Sequence, residues 1–317
     1  MARGILLMAH GVARDIEDIP RYYAHIRGAR PTNPAVEAEL IERYRAIGGH
    51  SPLVELTRSL AGRLESVIKR RHGPGAARVA YGFRHCEPYI ADALQALSAN
   101  AEVTEITGLI LAPHYSDMSV GAYIRAGEAA KLDRPLVRRY ILSWHTEPSL
   151  IRLLAARVEE ARETLGPLGH DAVVLFTAHS LPERIIAAGD PYPEQLQETG
   201  ELVARALSLT RYGFAWQSAG RTADPWLGPD VLDRIRELAH SGAASVVVCP
   251  CGFVSDHLEV LYDLDQEARA VAREAGIVFA RTRSLNDDPA FAEVLADVLA
   301  HQEGSLPTET RVGGTFA

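Results

Sequence analysis

Cysteine is scarce in this chain. Its 317 residues include only Cys86, Cys249 and Cys251. That is too few for the disulfide framework of a small secreted domain, and it fits a reducing cytoplasm. Three thiols also cannot ligate a four-cysteine iron–sulfur cluster, and Cys249-x-Cys251 lacks the further pair that a zinc site requires. At a strand end such residues are ordinarily small buried hydrophobes. Positive charge is in deficit too: 33 Lys and Arg against 41 Asp and Glu, a net charge of −8. This argues against nucleic acid as a partner, which calls for a basic patch or stripe. No apolar run approaches the roughly 18–20 residues of a bilayer-spanning helix, so no integral membrane segment is expected. The apolar stretch at the N-terminus is too short for a secretory signal and reads as a first strand. Neither G-x-G-x-x-G after that strand nor a P-loop lysine signature is present, so a nucleotide cofactor has no support.

What is present is core material: 47% hydrophobic and 23% charged residues, close to the globular average. The length is about twice that of a typical domain, which predicts two domains. Short β-branched and apolar runs alternate with longer amphipathic segments, the pattern of βα units and a parallel sheet. Four strands are expected in the first half, at 4–10, 78–84, 105–113 and 136–142. Four more are expected in the second, at 172–179, 212–217, 245–250 and 277–281. Asn33-Pro34 opens a helix that Gly48-Gly49 closes, and Ser51-Pro52 opens the next, ended by Gly73-Pro74-Gly75. The segments from Thr146 to Gly166 and from Gly228-Pro229 to Gly242 read as helices in the same way. The two halves share a plan, with 109–114 paralleling 246–251. A duplicated α/β architecture is predicted: domains at 1–145 and 146–303 with a cleft between them, and a flexible tail at 304–317.

Within that plan, His10 and His179 each end the first strand of a half. Ligands of open parallel sheets bind beyond the carboxyl ends of strands, so both histidines point toward such a crevice. His85 and His114 also fall at or just past strand ends. Ser180-x-x-Glu183 has capping-box spacing, which also suits a purely structural histidine at 179. Asp256 is a candidate N-cap and Gly276 a terminator for one helix between them. On it Glu259, Asp263 and Glu267 recur at i, i+4 and i+8, drifting only about 40° per step into one acidic stripe. Leu258, Leu261, Tyr262, Ala268 and Ala272 form the apolar stripe. The acidic stripe is either an ordinary solvated face or, if it lines the cleft, a ladder of oxygen donors for a divalent cation or protons. Around Tyr22 and Tyr23, the arginines 27, 30 and 43 with Ser51 could clamp an anionic planar ligand. From the residues alone, the reading stops at a cleft with histidine and carboxylates, related to a metal.

A series of motifs carries the reading further. Met8-Ala9-His10-Gly11, the run Arg21-Tyr22-Tyr23-Ala24-His25-Ile26-Arg27, Arg43-Tyr44 and Ile47-Gly48-Gly49-His50-Ser51-Pro52-Leu53 occur in order. His179-Ser180-Leu181-Pro182, Trp216-Gln217-Ser218, Asp224-Pro225-Trp226-Leu227-Gly228-Pro229-Asp230 and Asp256-His257-Leu258-Glu259-Val260-Leu261-Tyr262-Asp263 follow. With these the chain resembles the ferrochelatases over residues 4–301, and among them the soluble coproporphyrin ferrochelatases of Gram-positive-type bacteria. The resemblance implies an α/β fold of two Rossmann-like, chelatase-type domains, each with a four-stranded parallel sheet flanked by helices, around a porphyrin cleft. It implies insertion of Fe²⁺, as a substrate, into a porphyrin, with no cofactor required and no iron–sulfur cluster. It assigns catalysis to His179 and Glu259, and metal binding to His179, Glu259, Asp263 and Glu267. It assigns porphyrin contacts to His10, Arg27, Arg30, Arg43, Ser51, Tyr123 and Trp226.

Two departures qualify the resemblance. Coproporphyrin enzymes commonly have tyrosine where His10 stands, on the porphyrin face opposite His179. An imidazole there would be a nitrogen axial ligand to the product iron, or a second base. The apolar lip of the membrane-associated protoporphyrin enzymes and their C-terminal cysteine cluster are both absent, which favours coproporphyrin III as substrate, giving iron coproporphyrin in haem biosynthesis. A cytoplasmic monomer is expected. The alternatives are a protoporphyrin IX ferrochelatase, a cobaltochelatase for a sirohydrochlorin-type ring, and a non-catalytic porphyrin or haem carrier.

Overall fold

The computed structural model describes residues 2–28, 33–220 and 222–303. The first half runs β1 (Ala2–Ala9), α1 (Ile19–Ile26), α2 (Pro34–Ala46), α3 (Leu53–His72), β2 (Ala77–Phe83), α4 (Ile90–Ala99), β3 (Val103–Ile110), α5 (Ala122–Ala129) and β4 (Val137–Ile141). α6 (Pro148–Glu163), β5 (Val173–His179), α7 (Arg184–Ala187), α8 (Tyr192–Ala206), β6 (Tyr212–Gln217) and α9 (Val231–His240) follow. The chain then passes through β7 (Ser245–Cys249), α10 (Leu258–Leu261), α11 (Arg269–Glu274), β8 (Val278–Arg281) and α12 (Pro289–Glu303). All eight expected strands form, within a few residues of their expected limits. Arg30 and the 304–317 tail lie outside the described residues.

The strands make two four-stranded sheets, ordered β2-β1-β3-β4 and β6-β5-β7-β8, and every pairing is parallel. The two orders are the same topology repeated. In each, the first strand of the half lies inside the sheet and the strand order reverses beside it. Such a reversal is where open α/β sheets form their crevice. Helices cover both faces of a parallel sheet, so its inner strands are apolar on both sides. Ile5, Leu6, Leu7 and Met8 of β1 and Val174, Leu175 and Phe176 of β5 are all essentially inaccessible. At about 1.5–3 kcal/mol per large apolar side chain, such burial dominates what fixes these strands.

α12 returns from the second half to pack along α3, where Arg70 and Arg71 pair with Glu293, and Arg71 also with Asp297 at 2.7 Å. No helix among the described residues is long and apolar enough to cross a membrane. Asn33 caps α2 as expected, accepting from the Ala35 amide at 3.0 Å.

Three expected start signals act otherwise. Ser51 does not cap α3, which begins at Leu53 after Pro52, and its hydroxyl is buried without a hydrogen-bond partner. Ser180 is no capping-box residue, because it is drawn into the sheet end and donates to the Leu227 carbonyl at 2.8 Å. Asp256 is no N-cap: it binds Arg281 at the end of β8 and Ser284 and Asn286 in the loop beyond. The single helix expected from Asp256 to Gly276 is instead α10, a π-helical stretch at Asp263–Ala268, and α11.

Candidate active site

The site is built where β1 and β5 end. His179 is the last residue of β5, and its Nδ1 points at the adjoining Ser180 carbonyl. A carbonyl only accepts, so Nδ1 carries a proton and Nε2 is the nitrogen left for chemistry. Nε2 lies 3.6 Å from Oε1 of Glu259 in the first turn of α10. The other oxygen of Glu259 lies 3.5 Å from Nε2 of His257, whose Nδ1 donates to the Ser255 carbonyl at 2.9 Å. One carboxylate therefore sits between two imidazoles fixed in the same tautomer. His179 and Glu259 remain 32% and 40% exposed, so both are reachable from outside the fold.

The electrostatics follow from this arrangement. Burial opposes charge on His179, but the Glu259 carboxylate and the Ser180 carbonyl outweigh it, with Asp263 adding, and its pKa is raised to about 8. Burial likewise opposes charge on Glu259, and the two histidines reverse it, holding the carboxyl well below the usual range. Burial pushes Asp263 up to about 7; the Ser218 hydroxyl and Arg43 pull it down, while Glu259 and Glu267 push it back. The site thus holds an imidazolium–carboxylate pair beside a carboxyl that titrates near neutrality.

The π-helical stretch explains why Asp263 lies so deep. The Glu267 amide reaches back to the Tyr262 carbonyl at 3.0 Å, an i to i+5 bond that breaks α-helical phasing. Asp263 turns inward, hydrogen-bonded to Ser218 and 3.5 Å from Arg43. Glu267 follows, half-buried and close enough to bias the titration of Asp263. Val260, Leu264, Ala268 and Ala272 form the buried apolar side, while Leu261 and Tyr262 of the expected stripe are only partly covered.

The first half contributes a second group of histidines. His10 follows β1 immediately and is exposed, with Nδ1 on the Gly11 carbonyl at 3.1 Å. Partial desolvation by the groups packed around it lowers its pKa against the pull of Glu259 and the Gly11 carbonyl, with Arg84 and His179 adding to the lowering. His85 lies tilted against His10, ring centres 4.6 Å apart, and contacts His25, nitrogen to nitrogen, at 3.0 Å. Burial, followed by His10, Arg84 and His25, depresses His85 to about 3. His114 is not in this group; it is buried against Thr199 of α8 at 2.8 Å, between the halves.

The remaining expected residues have settings of their own. Trp226 packs its ring 6.5 Å from His179. Tyr123 is buried at the start of α5 and feels the charge of Glu259. Arg43 bridges Asp263 and Glu39 and lies over the Tyr262 ring. Arg27 lies 5.7 Å from the centre of the Tyr23 ring. Ser51 is fully buried. Sequence reasoning passed over His257 and Gln217, and also Tyr192, which donates to the His179 carbonyl at 3.0 Å. The first two lie inside motifs already noted, so position in a motif was their only signal.

The sequence matches the family model for ferrochelatase over residues 2–303. The chain belongs to the ferrochelatase family. A coproporphyrin III ferrochelatase of Bacillus anthracis is 42% identical over 306 residues, 96% of this chain and 98% of the relative. A ferrochelatase of Herpetosiphon aurantiacus is 40% identical over 301 residues, 94% and 98% of the two chains. Among solved structures, SirB from Bacillus subtilis with Fe³⁺ superposes with a TM-score of 0.59 at 13% identity, covering 96% of this chain and 98% of that one. CbiX, the terminal enzyme of sirohaem biosynthesis in denitrifying bacteria, gives 0.54 at 17% identity, covering 96% and 100%. These two share the chelatase fold, while the sequence relatives at 40% identity and above are ferrochelatases. The protein is a metal chelatase that takes a porphyrin and iron as substrates.

Proposed function

We propose that this ferrochelatase inserts Fe²⁺ into coproporphyrin III in the cytoplasm, giving iron coproporphyrin and two protons. The observation that carries the reaction is the His179–Glu259–His257 cluster, with His10 near enough that Glu259 and His179 both bear on its charge. The substrate rests on the relatives named for coproporphyrin III.

Free-base porphyrin must lose two pyrrole protons, and its nitrogens must tilt out of plane before a metal can bind. Contacts to the carboxylate side chains hold the ring, and the cleft spends that binding energy on the distortion. Arg27, Arg30 and Arg43 supply cations for those contacts, and Ser51, Tyr123 and Trp226 complete the porphyrin site. His179 accepts a pyrrole proton at Nε2 when neutral, and Glu259 stabilises the imidazolium so formed. Asp263 and Glu267 line the approach for the incoming cation, with His179 and Glu259 as its last protein ligands until Nε2 of His179 gives up the metal and takes the proton. His10, neutral in its setting, offers Nε2 as axial ligand to the product iron. The reaction requires no further cofactor.

The test is anaerobic Fe²⁺ insertion under turnover conditions, followed by loss of free-base fluorescence, with coproporphyrin III and protoporphyrin IX compared. Faster turnover of coproporphyrin is expected. Preference for protoporphyrin overturns the substrate, and tight binding of both without turnover leaves a porphyrin-binding relative. Cobalt with sirohydrochlorin serves as the control reaction.

A further inference from the structure

Gln217 ends β6 and is 1% exposed. A buried primary amide must satisfy a carbonyl and two N–H groups, so its partners are informative. Its Nε2 donates to the main-chain carbonyl of Glu259 at 2.9 Å. That carbonyl only accepts, which fixes which end of the amide faces it. Oε1 is left to accept from the Thr177 hydroxyl, also at 2.9 Å. Thr177 is itself fully buried and lies two residues before His179 on β5.

The backbone of Gln217 holds the other member of the pair. It stands beside His179 in the parallel register, and its carbonyl accepts from the Ser180 amide at 2.7 Å. One residue therefore grips the strand end that carries His179 and the helical turn that carries Glu259. The next residue extends the device. Ser218 adopts a left-handed backbone with φ of 60°, unusual for a residue with a side chain, and its hydroxyl reaches Asp263. No apolar side chain of similar size could bridge β5 and α10 in this way.

We propose that Gln217 is a positioning residue for metal insertion: its amide, oriented by Thr177, sets the separation of the His179 imidazole and the Glu259 carboxylate. This rests on the assignment of that pair as the insertion site. Gln217→Met keeps the length and removes both hydrogen bonds. It should lower kcat about 10- to 100-fold, the scale of a misplacement near one ångström. The dissociation constant for coproporphyrin III should stay within about twofold, because the amide is buried and engaged with Thr177 and Glu259 rather than offered to a ligand. In a Glu259→Ala background the same substitution should cost almost nothing further, since it acts through that side chain.

Wild-type kcat in Gln217→Met, or an equal loss with and without Glu259, overturns the proposal. Should Gln217→Met fail to fold, Thr177→Val carries the test. Its loss of the hydroxyl should lower kcat several-fold with the same dependence on Glu259, and wild-type turnover would reject the role. Full activity in His179→Ala and Glu259→Ala would sink the site assignment itself. Slow single variants of that pair alongside a normal Gln217→Met would sink only the positioning role.

Discussion

Glu259 lies with one carboxylate oxygen 3.6 Å from His179 and the other 3.5 Å from His257. The first imidazole comes from the end of β5, and the second directly precedes the helix that carries the carboxylate. Charge on Glu259 is held in place by both rings, and the raised pKa of His179 depends on that charge. The pair is therefore coupled, and each member's chemistry is set by the other.

Removing the carboxylate should disable insertion without emptying the cleft. Glu259→Ala is expected to lower kcat by about 10²–10⁴-fold, the usual contribution of a positioned acid–base group. Coproporphyrin III binding by fluorescence titration should change little. In the same variant the His179 imidazole, followed by NMR, should titrate well below its wild-type midpoint; an unmoved midpoint would contradict the coupling.

The pH dependence has a definite sign. His179 is raised from 6.5 to about 8, so it is charged in the folded state over a window where it is neutral in the unfolded chain. Its favourable contribution to stability is complete below about pH 6.5 and is lost as pH rises through about 8. Thermal melts of wild type and His179→Ala should differ more at pH 6 than at pH 9. Insertion should run the other way, rising through about pH 8 as the imidazole becomes free to accept a proton.

Asp263 is a carboxyl kept at a cost. Its pKa of about 7 means that ionisation is opposed by burial, and one oxygen has no hydrogen-bond partner. Asp263→Asn should stabilise the protein at pH 8 by about 1–4 kcal/mol, following about 1.4 kcal/mol for each unit of the raised pKa. The gain should shrink as pH falls from 7 toward 4. Denaturant melts at the two ends of that range check it, and a constant difference would exclude ionisation as the cause. Iron insertion should slow in the same variant.

His10 can be read by spectroscopy. If its free nitrogen binds the product iron, His10→Ala should change the optical spectrum of the enzyme–iron coproporphyrin complex and speed product release. An identical spectrum would remove His10 from ligation. Zinc and cobalt should also enter the ring in vitro, because imidazole and carboxylate donors do not single out iron.

The strands, the parallel sheets and the duplicated plan were legible in the amino-acid order. The same holds for the positions of His10 and His179 at strand ends. Each follows from local physics: apolar runs that need burial on both faces, and glycine or proline where the backbone turns. The motif series named the family for the same reason, since it is a property of order alone. The amphipathic arithmetic on 256–276 did not hold, because it assumed α-helical phasing throughout. Tertiary packing inserts a π-helical stretch and directs Asp256 to Arg281, Ser284 and Asn286 rather than to a helix end. Ser51 and Ser180, good caps by composition, are consumed by burial. Only the fold could bring Gln217 against Glu259 and Ser218 against Asp263, because these partners are more than forty residues apart and a hydrogen bond is decided by position in space. The same holds for the titration of His179 and Asp263: a side chain's intrinsic pKa is a property of its type, and its shift is a property of its neighbours.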